Sequence, residues 1–295
     1  MRTRRRFLQG AACAGAVLAL GPVRAAPRSA SALDATLAQI ERDSGGRLGV
    51  AVHDARGRRL AGHREDERFP MCSTFKFLLA ATVLHAVDQG RLRLDRRVPV
   101  AASDLLEHSP ETARHVGAQG MSVAELCRAT LIWSDNAAAN LLLPLVGGPA
   151  GVTAFVRASG DPLTRHDRPE PEVNRFAPGD DRDTTSPAAM AGNLRRLLLG
   201  DVLSVASRGQ LLEWMRDNRT GDTRLRAGLP AGWTVGDKTG SNGRDITNDI
   251  AIVWPPGGRD PLLLTAYLQG ATVPAGQQDA ALAAVARAVA AARWD

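Results

Sequence analysis

The apolar positions of this chain change their period twice. Across 31–42 they recur at Leu33, Leu37 and Ile40, the stripe of an amphipathic helix that starts near Ser31 or Asp34 and stops at Gly45-Gly46. Short extended runs follow at 47–53 and 58–63, joined around Ala55-Arg56-Gly57, and read as two strands. Helical spacing then governs 73–89, 122–133, 136–146, 151–159, 187–199 and 204–217. Strand-like runs return at 233–235, 249–254 and 261–268, and an Ala-rich helix over 280–292 closes the chain. Strands thus flank a helical middle at both ends. The simplest packing pairs the outer strands in one antiparallel sheet, which predicts an α/β fold of two lobes. The α/β lobe comprises about 27–66 and 218–295, and an all-α lobe of about 67–217 is inserted into it. A cleft between two lobes is where a ligand is expected.

Composition changes this picture at the N-terminus. Thr3-Arg4-Arg5-Arg6-Phe7-Leu8-Gln9, an Ala/Gly stretch and two small-residue cleavage sites ending at Ala25 and Ala26 read as a twin-arginine signal over 1–26. The apolar stretch is shorter than the ~20 residues that span a bilayer. Gly10, where a lipoprotein signal usually has leucine, argues against acylation of Cys13. A soluble, exported chain without a membrane segment is expected after cleavage. The signal carries five arginines and no acid, so its removal takes the formal charge from +6 to about +1. No basic run with interleaved aromatics remains, which disfavours nucleic acid as a partner. Cys72 and Cys127 also remain, and free, buried thiols are expected.

Only two basic residues outside the six histidines are lysine, Lys76 and Lys238, in a chain otherwise written with arginine. A lysine kept against that bias suits a site needing a compact ammonium that can lose its proton when buried. Lys76 closes Ser73-Thr74-Phe75-Lys76, a spacing that puts a hydroxyl and an amine on one helical face. A neutral lysine there can take the serine proton. Ser134-Asp135-Asn136 separates two helical patterns, so it suits a turn and helix cap as well as a polar site. Lys238-Thr239-Gly240-Ser241 follows a strand-like run, and Gly240 leaves room for a second backbone beside the strand. Each motif alone has a bland reading: a cap, a turn, a hairpin edge. Three in this order do not arise readily by chance.

Together the motifs resemble the signature shared by class A β-lactamases and penicillin-binding proteins. Arg168-Pro169-Glu170-Pro171-Glu172-Val173-Asn174 and Asp180-Asp181-Arg182-Asp183-Thr184-Thr185 are similar to the start and end of the class A Ω-loop. The likeness covers essentially the whole mature chain. It implies an all-α lobe against an α/β lobe with a five-stranded antiparallel sheet. It also implies Ser73 as nucleophile, Lys76 or Glu170 as the acylation base, and Ser134 as proton shuttle to the lactam nitrogen. Glu170 and Asn174 would hold the deacylating water, and the backbone amides of Ser73 and Ser241 the oxyanion. Asn136, Lys238, Thr239, Gly240, Ser241 and Arg224 would meet the substrate, Asp279 would brace Arg224, and His108 would line the cleft where an aromatic residue is common. An Arg168–Asp183 pair and a cis Glu170–Pro171 bond complete the implied loop.

Several positions depart from the family pattern. Ala80 replaces the partner that would bridge Cys127, and Asn242 replaces the cysteine that carbapenem-hydrolysing relatives join to their Cys72 equivalent. Pro169 stands for the usual aromatic residue before the glutamate. The resulting expectation is a monomeric periplasmic enzyme that hydrolyses a small-molecule β-lactam with no metal or organic cofactor. The rivals are a D-Ala-D-Ala peptidase of the same superfamily and a sensor domain that stays acylated. Glu170 speaks against the first and the lack of a membrane span against the second.

Overall fold

The computed structural model describes residues 28–294, and the expected export signal lies outside them. Helix α1 (Arg28–Ser44) buries Leu33 and Leu37, as their spacing requires. Strands β1 (Arg47–Asp54) and β2 (Arg59–His63) form an antiparallel hairpin. Two short ribbons lie in the helical half, where the sequence pattern gave no strand: β3 (Phe69–Pro70) with β6 (Thr184–Thr185), and β4 (Arg97–Val100) with β5 (Gly117–Ser122). The C-terminal strands are β7 (Thr234–Ser241), β8 (Ile246–Trp254) and β9 (Leu262–Gln269). One five-stranded antiparallel sheet results, in the order β2-β1-β9-β8-β7. The chain's two ends therefore meet at its centre, in the β1–β9 pair.

The sheet is buried on both faces, and alternation along its strands assigns each side chain to one of two cores. Ile250, Ile252, Leu263 and Tyr267 join the helical lobe, whereas Ala251, Val253, Leu264 and Leu268 join α1 and the last helix, α9 (Ala275–Ala291). At the centre of the helical lobe runs α2 (Phe75–Asp88), apolar all round and almost wholly buried, as a helix with no solvent face must be. Around it stand α3 (Val123–Ile132), α4 (Asn136–Leu142), α5 (Gly148–Ala158) and α7 (Val205–Arg216). α6 (Pro187–Leu198) lies against the sheet, where Thr265 Oγ1 donates to the Pro187 carbonyl at 2.9 Å. A single turn of helix, α8 (Leu225–Gly228), leads towards β7.

Caps explain where the helices nearest the cleft begin. Ser122 Oγ accepts from Glu125 N, and Glu125 Oε2 accepts from Ser122 N, a reciprocal capping box that starts α3. Asp135 Oδ1 accepts from Ala138 N to start α4. The same buried carboxylate also accepts from the Glu111 and Thr112 amides and the Thr112 hydroxyl. Asp135 thereby fixes the loop that carries His108 to the turn that carries Ser134.

Candidate active site

Ser73 lies in a 3-10 turn, Cys72–Thr74, that feeds directly into α2. The turn is strained at its entry, where Cys72 has φ 44. Three backbone conformations of the same sort surround it: Ser134 at φ 58, His108 at φ 61 and Asp183 at φ 57. The cleft beside Ser73 measures about 490 Å³ and is walled by Ser134 and Asn136 on one side and Thr239, Gly240 and Ser241 on the other.

Beneath Ser73 the polar groups form one closed network. Lys76 Nζ donates to Ser73 Oγ at 3.0 Å, to the Ser134 carbonyl at 2.7 Å and to Asn136 Oδ1 at 2.6 Å, with Ser134 Oγ at 3.4 Å. Glu170 Oε1 stands 3.0 Å from the same nitrogen and 3.3 Å from Ser73 Oγ, which donates to it. The side chains of Lys76 and Glu170 are both 0% exposed, so this ion pair operates without solvent screening. Burial lowers the pKa of Lys76, and the Glu170 carboxylate works against that shift.

Lys238 comes to the same hydroxyl from the opposite wall. Its Nζ donates to Ser134 Oγ at 3.0 Å and to the Thr239 carbonyl at 2.8 Å. Burial first, and the Lys76 cation second, push its pKa well below the ordinary lysine value, while Asp237 next to it opposes the shift. Lys238 is fully buried and adjoins the cleft through the Ser134 hydroxyl. Gly240 brings its strand against the turn that carries Ser73. A Cβ added there would come within 2.6 Å of the Met71 carbonyl oxygen and 3.1 Å of Ser73 N. That contact explains why the strand needs glycine.

A model of the beta-lactamase enzyme family matches residues 32–293. Beta-lactamase L2 of Stenotrophomonas maltophilia is 54% identical over 297 residues, covering 97% of this chain and 98% of that protein. The crystal structure of a beta lactamase from Xanthomonas campestris superposes with a TM-score of 0.87 at 63% identity, over 88% of this chain and 97% of that one. A reconstructed last common ancestor of Gram-negative class A enzymes does so with 0.86 at 61%, over 88% and 98%. The chain belongs to the class A β-lactamases. It is therefore a hydrolase of β-lactams, with the two-lobed fold the motifs led one to expect.

The remaining expected site residues of this β-lactamase fall around the same cleft. Asn174 Nδ2 donates to Glu170 Oε2 at 2.6 Å, and the Glu170–Pro171 bond is cis. Arg168 Nε meets Asp183 Oδ2 at 2.5 Å, and Asp183 also accepts from the amides of Asp167 and Arg168, closing the neck of the loop. Arg224 is held by Asp279 at 2.8 Å and donates to the Gly240 and Asn248 carbonyls. His108 lines the cleft mouth with Nε2 2.8 Å from the Trp133 carbonyl oxygen. Cys72 and Cys127 are free, and burial raises both thiol pKa values, which makes them inert as nucleophiles. Among the described residues no three His, Cys, Asp or Glu side chains converge as a metal site would.

Sequence reasoning missed four supporting residues of the enzyme. Asn140 clamps the Glu170 backbone from both sides, its Nδ2 donating to Glu170 O at 2.8 Å and its Oδ1 accepting from Glu170 N at 3.0 Å. Asn218 and Arg226 satisfy buried Asp237, each at 2.5 Å. Asn248 ties β8 to the Pro70 and Met71 carbonyls just before Ser73. Asn140 alone carried a usable signal, being one helical turn beyond Asn136 on the same face.

Proposed function

We propose that the enzyme opens penicillins and cephalosporins through an acyl intermediate on Ser73, with Glu170 as the group that resolves it. The observation that carries this reading is the triangle of Ser73 Oγ, Lys76 Nζ and Glu170 Oε1, with sides of 3.0, 3.0 and 3.3 Å. Lys76 is surrounded by acceptors, so in the resting site it is the donor, and Glu170 is positioned to receive the Ser73 proton. As Ser73 Oγ bonds to the lactam carbonyl carbon, the developing oxyanion falls to the backbone amides of Ser73 and Ser241. Lys76 passes a proton through Ser134 Oγ to the lactam nitrogen as the C–N bond breaks. Glu170 then returns the Ser73 proton to Lys76, leaving the acyl-enzyme with the resting charges restored.

Deacylation uses the same carboxylate. Glu170 takes a proton from a water whose oxygen attacks the ester carbon, and Ser73 Oγ leaves with that proton. Asn174 holds Glu170 Oε2, and its own Oδ1 is buried without a hydrogen-bond partner among the described residues, an acceptor available to that water. Lys238, Thr239, Ser241 and Arg224 receive the substrate carboxylate, while Asn136 and His108 border the acyl side chain. Residues 1–26 would direct a monomer to the periplasm by the twin-arginine route, where this activity would confer β-lactam resistance.

The test is Glu170→Ala. Removing Glu170 also removes the anion that keeps Lys76 charged, which frees Lys76 to take the Ser73 proton, so acylation continues while deacylation loses its base. Intact-mass spectrometry after brief exposure to benzylpenicillin should show a persistent adduct on Ser73. An unmodified variant with parental turnover sinks the mechanism. A D-Ala-D-Ala peptidase would already show that adduct in the parent.

A further inference from the structure

The first residues of β7 and the loop before it wall a second groove, of about 510 Å³, away from the cleft. Leu229, Pro230, Trp233 and Val235 make one part of it apolar, and Arg216 and Arg226 supply its only charged groups. Arg216 lies with its guanidinium 4.6 Å from the centre of the Trp254 ring, which holds the planar cation in place. Arg226 Nη2 donates to Asp237 Oδ1 at 2.5 Å, but its Nε is buried without a hydrogen-bond partner; the exposed Asp222 carboxylate stands 3.6 Å away.

We infer that this groove is a second ligand site, for an amphiphilic organic carboxylate, and that its occupancy is felt at Lys238 through Arg226 and Asp237. Guanidinium presents a fork that matches a carboxylate, and Arg216, which lines the groove, has no acidic partner among the described residues. The apolar wall takes a hydrocarbon or aryl group, which an inorganic anion lacks. A neutral ligand would leave the Arg216 cation unmatched. The connection inward is short. Arg226 favours the charged form of buried Asp237, and Asp237 in turn favours the charged form of Lys238, its neighbour in β7. A ligand carboxylate that shares Arg226 weakens its hold on Asp237. Lys238 then loses support for its charge and with it some of its grip on the substrate carboxylate, a step that rests on the role assigned to Lys238 above.

The probe is 3-phenylpropionate, titrated into the full enzyme hydrolysing benzylpenicillin. The apparent KM should climb two- to five-fold to a plateau, with kcat changing less, and the Trp233 indole N–H resonance should shift over the same concentrations. Arg216→Gln should keep the parental KM and kcat without the probe, yet respond at least five-fold more weakly to it. A KM that climbs without limit, equally in Arg216→Gln, is competition in the cleft and overturns the proposal. So does a plateau without any Trp233 shift, or a Trp233 shift without any change in KM. Failure of the Lys238 assignment itself would surface separately, as unaltered probe-free kinetics in Lys238→Arg.

Discussion

Lys76 and Lys238 are equally buried, share the Ser134 hydroxyl, and keep different company. Lys76 has four oxygen partners within 3.0 Å, one of them the Glu170 carboxylate. Lys238 has two neutral ones, and among the described residues no carboxylate within ion-pair distance. Burial lowers both pKa values, but Glu170 restrains the shift at Lys76 whereas the Lys76 cation deepens it at Lys238. One charge is completed inside the protein, and in the proposed mechanism the other is left for the substrate anion. Burial alone does not tell a relay from a receptor; the neighbouring charges do.

The strongest way to break this distinction is to make both lysines arginine, one at a time. Lys76→Arg should lower kcat/KM by about 10³-fold, because a relay must give up its proton and guanidinium does not. Lys238→Arg keeps a cation for the substrate and should lose about tenfold, chiefly in KM, as for one weakened charged hydrogen bond. Equal losses in steady-state hydrolysis of benzylpenicillin would erase the difference.

Gly240→Ala disturbs the Lys238 wall alone. Its Cβ meets backbone rather than a flexible side chain, so the strand must move off Ser73. A displacement near 1 Å costs about 10²-fold in rate. Stopped-flow acylation should slow by that order, and a parental rate would mean that the strand position does not matter.

The two lysines also differ in how pH reaches them. A substrate carboxylate favours protonated Lys238, whose pKa in the empty cleft is depressed. As pH rises through that depressed value the cation is lost, so KM should climb by up to about tenfold per pH unit. In Lys238→Arg the KM profile should be flat on the alkaline side. A rise that persists in the variant assigns the titration to another group.

The smallest effects concern how Glu170 is aimed at Lys76. Asn140→Ala removes two backbone hydrogen bonds and should slow deacylation by about tenfold. Pro169→Gly removes only backbone restriction, worth ~0.4–1 kcal/mol, and should slow it by about threefold. Pre-steady-state kinetics with a chromogenic cephalosporin separates deacylation from acylation. If the order reverses, stiffness of the loop outweighs the Asn140 clamp.

Much of this arrangement was legible in the order of residues. Amphipathic stripes such as Leu33, Leu37 and Ile40 marked helices because one face had to be buried. The motifs placed Ser73, Lys76, Ser134 and Glu170 because their chemistry restricts residue type. Strand β7 was visible only over 233–235, yet it runs Thr234–Ser241. Gly236, Asp237, Lys238 and Thr239 show no apolar alternation, since their burial is made possible by Asn218, Arg226, Ser134 and Thr220 from elsewhere. The β4–β5 ribbon was invisible for a related reason: Gly117-Ala118-Gln119-Gly120 lacks the side chains that signal a strand. Isolated partners such as Asn248 carry no spacing at all, and only the fold reveals what they hold.

The left-handed residues around the cleft bear on how this enzyme can evolve. Cys72, His108, Ser134 and Asp183 hold four of the five positive-φ conformations found outside glycine among the described residues. Each such conformation costs roughly 1–2 kcal/mol, so together they approach the ~5–15 kcal/mol by which a domain is stable at all. The molecule keeps Cys72, His108, Ser134 and Asp183 in place by giving up part of its reserve against heat and mutation. Substitutions that widen the range of drugs it accepts would draw on the same reserve. Lineages that first gain stability far from the cleft, in the helices behind the sheet, would have more room to change what the cleft accepts.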